Sequence, residues 1–304
     1  MIYDLIIIGG GPAGLSAAIY GLRARLNLVL IEKMAVGGQI ALSDNIGNYP
    51  GFPSLSGVEL MQKFEEHAKG LGLNVVYDEV KDVVDDGRYK TLRGVNENYK
   101  AKTVIIAVGA SPKRLNIPGE REFTGRGVSY CATCDGPFFN NEDIAVIGGG
   151  DTAVKETNYL AKIVKSLVLI HRRKELRAEK IIQEKIHNAK NISLELEHAA
   201  VSVNGAKAVE SLTIENVKTK EKKTIVVKGV FIFIGIKPQT SFLKNIVKDE
   251  SGFVKTDPYT LMTSIPGVFC AGDSRSKKLL QVATAVGEGT LAATSAIDFV
   301  CGMC

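Results

Sequence analysis

One pattern occurs twice in this chain, an apolar strand, a glycine turn and a helix, and few patterns leave a polypeptide less choice of fold. Residues 2 to 8 are largely apolar, Gly9-Gly10-Gly11-Pro12-Ala13-Gly14 follows at once, and Leu15 to Leu22 takes helical spacing. Further on, Asp143 to Ile147 leads into Gly148-Gly149-Gly150-Asp151-Thr152-Ala153. Glycines there permit a tight turn and let a pyrophosphate approach the unpaired N–H groups at a helix start. In both units a step of 23 positions (32 − 9 and 171 − 148) leads from the first glycine to the residue that ends the second strand, Glu32 or His171. The units close alike as well, with Val104 to Pro112 echoed by Val230 to Pro238. The expectation is two βαβ units, each completed by a small sheet and a closing strand.

With 304 residues, the chain is long enough for two domains, since single cores rarely exceed about 250 residues. After the second closing strand come Ile265 to Asp273 and an apolar helix from about Val282 to Val300 that has no glycine fingerprint of its own. That helix most economically returns to finish the first unit. The second unit is then inserted in the first: residues 1–113 and 243–304 form one domain and 114–242 the other. Crossings near Lys113 to Gly119 and Pro238 to Leu243 make a plausible hinge.

The two strand-end residues predict different ligands. Glu32 can accept hydrogen bonds from ribose hydroxyls and would repel a 2′-phosphate. At the second site the carboxylate gives way to His171-Arg172-Arg173, with Arg177 one turn on. Guanidinium groups bind phosphate in bidentate fashion, so this unit is expected to take NADPH. A Gly/Pro/Asn-rich stretch, Gly37-Gly38-Gln39 and Asn45 to Gly51, is long enough to wrap a large cofactor, and is otherwise a surface loop.

Between the fingerprints lies Cys131-Ala132-Thr133-Cys134-Asp135. A C-x-x-C dithiol can attack a partner disulfide with one thiolate and resolve the mixed disulfide with the other, and Asp135 could carry the accompanying proton. Half a zinc site is the competing reading, because Cys301 and Cys304 form a second C-x-x-C pair. Zinc-ribbon pairs stand roughly 15 to 20 residues apart, far closer than these, so no metal is expected. Two dinucleotide sites around a redox dithiol specify a path from nicotinamide to flavin to disulfide, because an isoalloxazine accepts hydride and passes the electron pair to sulfur. The acidic first site is therefore assigned FAD.

Composition narrows the remaining classes. Five cysteines argue against a structural disulfide framework, and a net charge of +5 without any dense basic block beyond His171 to Arg177 and Arg275 to Lys278 does not point to nucleic acid. No apolar run approaches the roughly 18 residues of a membrane span, and no leader layout is visible, so a cytoplasmic location is expected.

Taken together, Gly9 to Gly14, Gly38-Gln39 to Pro50-Gly51, Cys131 to Gly136, Gly148 to Ala153, His171-Arg172-Arg173 with Arg177, Ala271-Gly272-Asp273 and Gln281-Val282 carry a family resemblance over essentially the whole chain. It resembles the low-molecular-weight bacterial thioredoxin reductases. The resemblance implies an α/β protein of two Rossmann-like, three-layer domains and a homodimer with thioredoxin or a thioredoxin-like protein as partner. It implies Cys134 as the flavin-proximal sulfur, Cys131 as the interchange thiol and Asp135 as the acid. Gly9, Gly11, Pro12, Ala13, Gly14, Glu32, Gly38, Gln39, Asn48, Gly109, Gly272, Asp273, Gln281, Val282 and Ala283 would hold FAD. Gly148, Gly150, Asp151, Thr152, Ala153, His171, Arg172, Arg173 and Arg177 would hold NADPH. It further implies that the inserted domain rotates to present nicotinamide and dithiol in turn to one flavin face.

Two positions depart from the family pattern. Lys155 stands where a carboxylate is usual and Leu280 where an arginine commonly precedes the glutamine, which keeps reduced ferredoxin open as an alternative donor. A flavin-dependent dithiol oxidase and a non-enzymatic, flavin-bound redox sensor are the rival readings. The first would need no arginine cluster and the second no fast hydride transfer. Cys301 and Cys304 are either an outer redox relay or thiols on a frayed tail, and Cys270 is expected in the core.

Overall fold

A computed structural model describes residues 1–43 and 46–302, without the side chains of Leu42 and His187. Asn45 and Cys304, named above, lie outside the described residues. The chain forms two compact units, one of Met1–Ser111 with Lys237–Cys304 and one of Pro112–Ile236.

The first unit opens with β1 (Ile2–Ile8), α1 (Pro12–Arg23), β2 (Leu28–Glu32), α2 (Gly57–Gly70), β3 (Val75–Tyr77), β4 (Val80–Asp85), β5 (Lys90–Gly94), β6 (Asn98–Ile106) and β7 (Ala110–Pro112). Strands β3, β2, β1 and β6 lie side by side and parallel. Their continuous apolar runs suit burial on both faces. The N-terminal half of β6 also pairs antiparallel with β5, and β5 with β4. Pro12 takes the first helical position of α1, where its missing N–H costs nothing. Ser56 and Glu59 cap α2 reciprocally, Ser56 Oγ accepting from Glu59 N at 3.2 Å and Glu59 Oε2 from Ser56 N at 2.9 Å.

The second unit contains β8 (Val128–Ser129), α3 (Ala132–Asp135), β9 (Asp143–Gly148), α4 (Asp151–Leu160), β10 (Ser166–His171), α5 (Lys180–His187), β11 (Ile192–Leu196), β12 (His198–Gly205), β13 (Val209–Asn216), β14 (Lys222–Val226) and β15 (Gly229–Phe233). Its parallel sheet runs β11-β10-β9-β15-β8, and β12-β13-β14 form an antiparallel sheet. Period-2 alternation sorts the central strand. Ile144 and Val146 pack with Val154 and Leu160 of α4, whereas Ala145 and Ile147 pack with Val203, Leu212 and Ile214 of the antiparallel sheet. Helices, parallel sheet and antiparallel sheet thus make three layers.

The chain returns to the first unit through β16 (Ile236–Pro238), β17 (Val268–Cys270) and α6 (Val282–Cys301). β17 adds to the free edge of β6, and α6 packs with α1. Leu5, Ile7, Leu30, Ile105 and Phe269 face those helices, and Ile6, Ile8, Ile31, Val104 and Val268 face the other side with Leu243, Ile246 and Val254. β7 and β16, the outgoing and returning segments, pair as a two-stranded ribbon. Beside it, Gln239 N donates to Gly109 O at 3.0 Å and Gln239 Nε2 to Ser111 Oγ at 3.0 Å. Gly302, at φ 72°, ends α6 in the left-handed conformation that glycine tolerates. Among the described residues no helix is long and apolar enough to cross a membrane.

Candidate functional site

In the first unit the glycine turn is fixed by contacts that exclude a side chain. Gly9, at φ 105°, donates from its N–H to Ile31 O at 2.8 Å, and a Cβ there would lie 2.5 Å from Ala107 O. A Cβ on Gly14 would lie 1.8 Å from Gly9 O. Gly11, the residue before α1, is open by contrast, since a Cβ there would meet only Gly38 Cα at 4.0 Å. The helix start is therefore approachable by an anion. Glu32 is held by two backbone donors, Oε2 accepting from Gly10 N at 2.7 Å and Oε1 from Met34 N at 3.0 Å. Each oxygen retains a lone pair for a hydroxyl.

Residues far apart in sequence converge on this turn. A Cβ on Gly272 would lie 2.9 Å from Ala13 Cβ, and one on Gly289 of α6 only 2.1 Å from Ala13 O. Asn48 Nδ2 donates to Gln281 Oε1 at 3.0 Å across 233 residues. Val282 and Ala283 begin α6 behind Gln281, Gly109, at φ 67°, closes the β6 end, and Gln39 is exposed next to Gly38. An open helix start, an anchored carboxylate and a second carboxylate, Asp273, on the Gly272–Ser274 turn suit a dinucleotide bearing hydroxyls, as FAD does.

The second unit repeats the turn with a different occupant. A Cβ on Gly148 would lie 2.5 Å from Ala153 Cβ, and Gly150 precedes α4 as Gly11 precedes α1. Where Glu32 accepts from Gly10, the His171 ring covers Gly149, and a Cβ there would lie 2.3 Å from Nδ1. His171 is buried, and its Nε2 has no hydrogen-bond partner among the described residues. Burial, followed by the charges of Arg177, Arg173 and Arg172, pushes its pKa below the usual histidine value. Arg177 N donates to Gly149 O at 2.6 Å, which brings this residue back to the turn. Arg172, Arg173 and Arg177 are exposed, as is Thr152. Asp151 Oδ1 accepts from Glu179 N at 2.9 Å and so ties the arginine-bearing loop to α4. Lys155 is exposed on α4, and burial raises the neighbouring Glu156 carboxyl pKa.

Cys131 and Cys134 form a disulfide, with Cα atoms 5.3 Å apart. Cys131 precedes α3, and its Sγ accepts from Cys134 N at 3.2 Å. Asp135 closes the same turn, and its Oδ2 accepts from Ser129 Oγ at 2.5 Å. Ser129 is buried and also receives Cys131 N at 3.1 Å, so one hydroxyl links the Asp135 carboxylate to the Cys131 backbone. Sequence reasoning missed Ser129, because no spacing rule marks a serine two residues before a C-x-x-C. It also missed Glu120, fully buried, which accepts from Leu115 N, Asn116 N and Tyr130 Oη at 3.0, 2.6 and 2.8 Å. Cys270 is buried in β17, where burial pushes its thiol up to about 12, and Cys301 is exposed at the end of α6.

The model of the family described as "Pyridine nucleotide-disulphide oxidoreductase" matches residues 3–289. A thioredoxin reductase of Peptoclostridium acidaminophilum is 44% identical over 98% of this chain and 97% of its own. The crystal structure of a thioredoxin reductase from Streptococcus pyogenes superposes with a TM-score of 0.96 at 40% identity, covering 99% of both chains. A ferredoxin-flavin thioredoxin reductase from Clostridium acetobutylicum matches at 30% identity and a TM-score of 0.53 over 98% of this chain and 97% of that one. With its paired fingerprints and its redox disulfide, the chain belongs to the pyridine nucleotide-disulphide oxidoreductase family, among its thioredoxin reductases.

Proposed function

We propose that this protein passes two electrons from NADPH through FAD to the Cys131–Cys134 disulfide and on to the disulfide of thioredoxin or a thioredoxin-like protein. The observation that carries the reading is the disulfide hydrogen-bonded into α3 beside the Asp135–Ser129 pair, on the unit that also bears the arginine-rich fingerprint. When bound, FAD supplies the carrier that accepts a hydride and delivers an electron pair to sulfur.

The chain's own residues do the rest. Gly9 to Gly14, Glu32, Asp273 and the Asn48–Gln281 pair would hold and orient the FAD. Gly148 to Ala153 receive the NADPH pyrophosphate, and Arg172, Arg173 and Arg177 select the 2′-phosphate. Opening Cys131–Cys134 takes two electrons and yields two sulfurs that share the incoming protons. Cys131 then attacks one sulfur of the partner disulfide, and Cys134 closes on Cys131 to release the partner as a dithiol. Asp135 exchanges the proton at the sulfur, held in place by Ser129. Hinge rotation between domains 1–113/243–304 and 114–242, a homodimer and a cytoplasmic location belong to the same reading, on the strength of the family resemblance.

Two features favour a second donor, reduced ferredoxin: Lys155 exposed on the helix behind the second fingerprint, and Leu280 ahead of Gln281. Anaerobic titration of the yellow protein with NADPH decides between donors. NADPH should bleach the flavin stoichiometrically, and added oxidised thioredoxin should restore the colour. Bleaching by reduced ferredoxin but not by NADPH would transfer the assignment to the second donor.

A further inference from the structure

Four charged side chains, Asp273, Arg275, Lys277 and Glu288, are packed at the Gly272–Ser274 turn, and of these only Asp273 has a role in the account above. Lys277 Nζ lies 3.2 Å from Asp273 Oδ1, 3.1 Å from Glu288 Oε2 and 3.3 Å from Thr284 Oγ1. Its side chain is only 6% exposed. Glu288, on α6, receives Gly272 N on Oε2 at 2.8 Å and faces Arg275 Nε from Oε1 at 3.4 Å. Thr284 Oγ1 in turn accepts from Gln281 N at 3.2 Å. One ammonium therefore touches Asp273 directly and reaches Gln281 through a single hydroxyl.

We propose that Lys277 is a positioning residue of the FAD site, its buried ammonium holding the Asp273 carboxylate and the Gln281 turn in the arrangement that receives the cofactor's hydroxyl groups. The arrangement of the contacts supports a role beyond packing. The Asp273 side chain is 35% exposed, yet Oδ1 is buried, facing Lys277 as an ion pair without hydrogen-bond alignment. The outward part of the carboxylate is left for a ligand. A lysine this buried is tolerated only beside opposite charge, and here two carboxylates flank it. Burial pushes the Asp273 carboxyl up, Lys277 pulls it down, and Glu288 pushes it up again, with a net rise. The other ionisable groups near it are Arg275 on the same loop and Cys270 on β17, whose thiol at about 12 does not titrate near neutrality. From α1, the apolar Ala13 lies against the turn. Without the ammonium, Asp273 is left with burial and the Glu288 charge, both of which favour its protonated form. A neutral carboxyl binds hydroxyls more weakly than a charge-assisted acceptor.

The test measures the FAD dissociation constant of the full-length, deflavinated protein by quenching of FAD fluorescence between pH 5.5 and 8. K277Q keeps a donor for Thr284 and removes only the charge. It is expected to weaken FAD binding about tenfold at the acid end and to approach wild type at the alkaline end, giving a steeper profile than wild type. D273N should bind weakly with a shallow profile, and K277Q/D273N should match D273N at every pH. A K277Q profile parallel to that of wild type overturns the proposal, because a general loss of packing would weaken binding equally at all pH values. A steep profile that persists in K277Q/D273N also overturns it, by assigning the titration to Glu288. The proposal rests on the FAD reading: a wild-type chain that takes up no FAD would overturn that reading, whereas normal wild-type binding with a parallel K277Q profile would overturn only the role of Lys277.

Discussion

At the scale of single residues, the proposed function assigns proton handling beside the disulfide to Asp135, held by Ser129. Positioned acids typically contribute 10²–10⁴-fold. Asp135→Asn is therefore expected to slow reduction of thioredoxin disulfide by about 10²-fold or more, while the rate at which NADPH bleaches the flavin stays near wild type in stopped-flow absorbance. Ser129→Ala removes only the orienting hydroxyl, and a loss of about tenfold in the same step is expected from one hydrogen bond to a charged group. Equal loss of both steps in Asp135→Asn would count against the acid. The free thiols divide just as sharply. A thiol with a pKa of about 12 is almost wholly protonated at neutral pH, and Cys270 is also sealed in the core. Iodoacetamide labelling of the native protein followed by peptide mapping should mark Cys301 and leave Cys270 unmodified. His171 gives the fold a pH dependence. Its folded pKa lies below the unfolded value, so the unfolded chain binds the proton first. The stability it contributes is fully present above the unfolded pKa of about 6.5 and is lost as pH falls toward the folded pKa. Thermal midpoints of the nucleotide-free protein should fall between pH 7.5 and 5.5, and His171→Asn should reduce that fall.

Among the elements, α1 and α6 make the contact that most directly joins the two sequence segments of the first unit. Gly289 is required there, since a Cβ would lie 2.1 Å from the Ala13 carbonyl oxygen. Gly289→Ala should cost about 1–3 kcal/mol in denaturant unfolding through overpacking, together with a lowered FAD content read at 450 nm. Ser56→Ala, which breaks the capping box of α2, should cost about 1 kcal/mol and leave FAD content unchanged. These contacts also show what could be read ahead of the fold. The fingerprints, β1, α1, β2 and their counterparts were legible because each is a local pattern with a fixed step, Gly9 to Glu32 and Gly148 to His171. The closing strands were legible because Val104 to Pro112 and Val230 to Pro238 repeat. Lys277 with Glu288, and Ser129 with Asp135, were not, because their meaning arises only when a turn or a helix brings them together. The sheet β12-β13-β14 was expected only as an unspecified small sheet, since its half-exposed strands alternate weakly. The Asn48–Gln281 bond joins a loop to a helix start, and no periodicity links the two.

At the level of the whole molecule, one compact unit encloses the other in sequence, and the enclosed unit carries both the arginine cluster and the Cys131–Cys134 disulfide. Truncation after Val300 should leave NADPH-dependent thioredoxin turnover unchanged if Cys301 and Cys304 are tail thiols, and a severalfold loss in steady-state rate would instead support a relay. The pairing of β7 with β16 bears on the origin of such a protein. Outgoing and returning chain run side by side, and Gln239 bonds to Gly109 across the gap, so the host needs a break at one place only. A duplicated gene segment dropped between the codons for those two residues would leave the host core unbroken. Later recombination at the same joint could exchange one reductant-binding cassette for another while the flavin-binding gene segments are inherited intact.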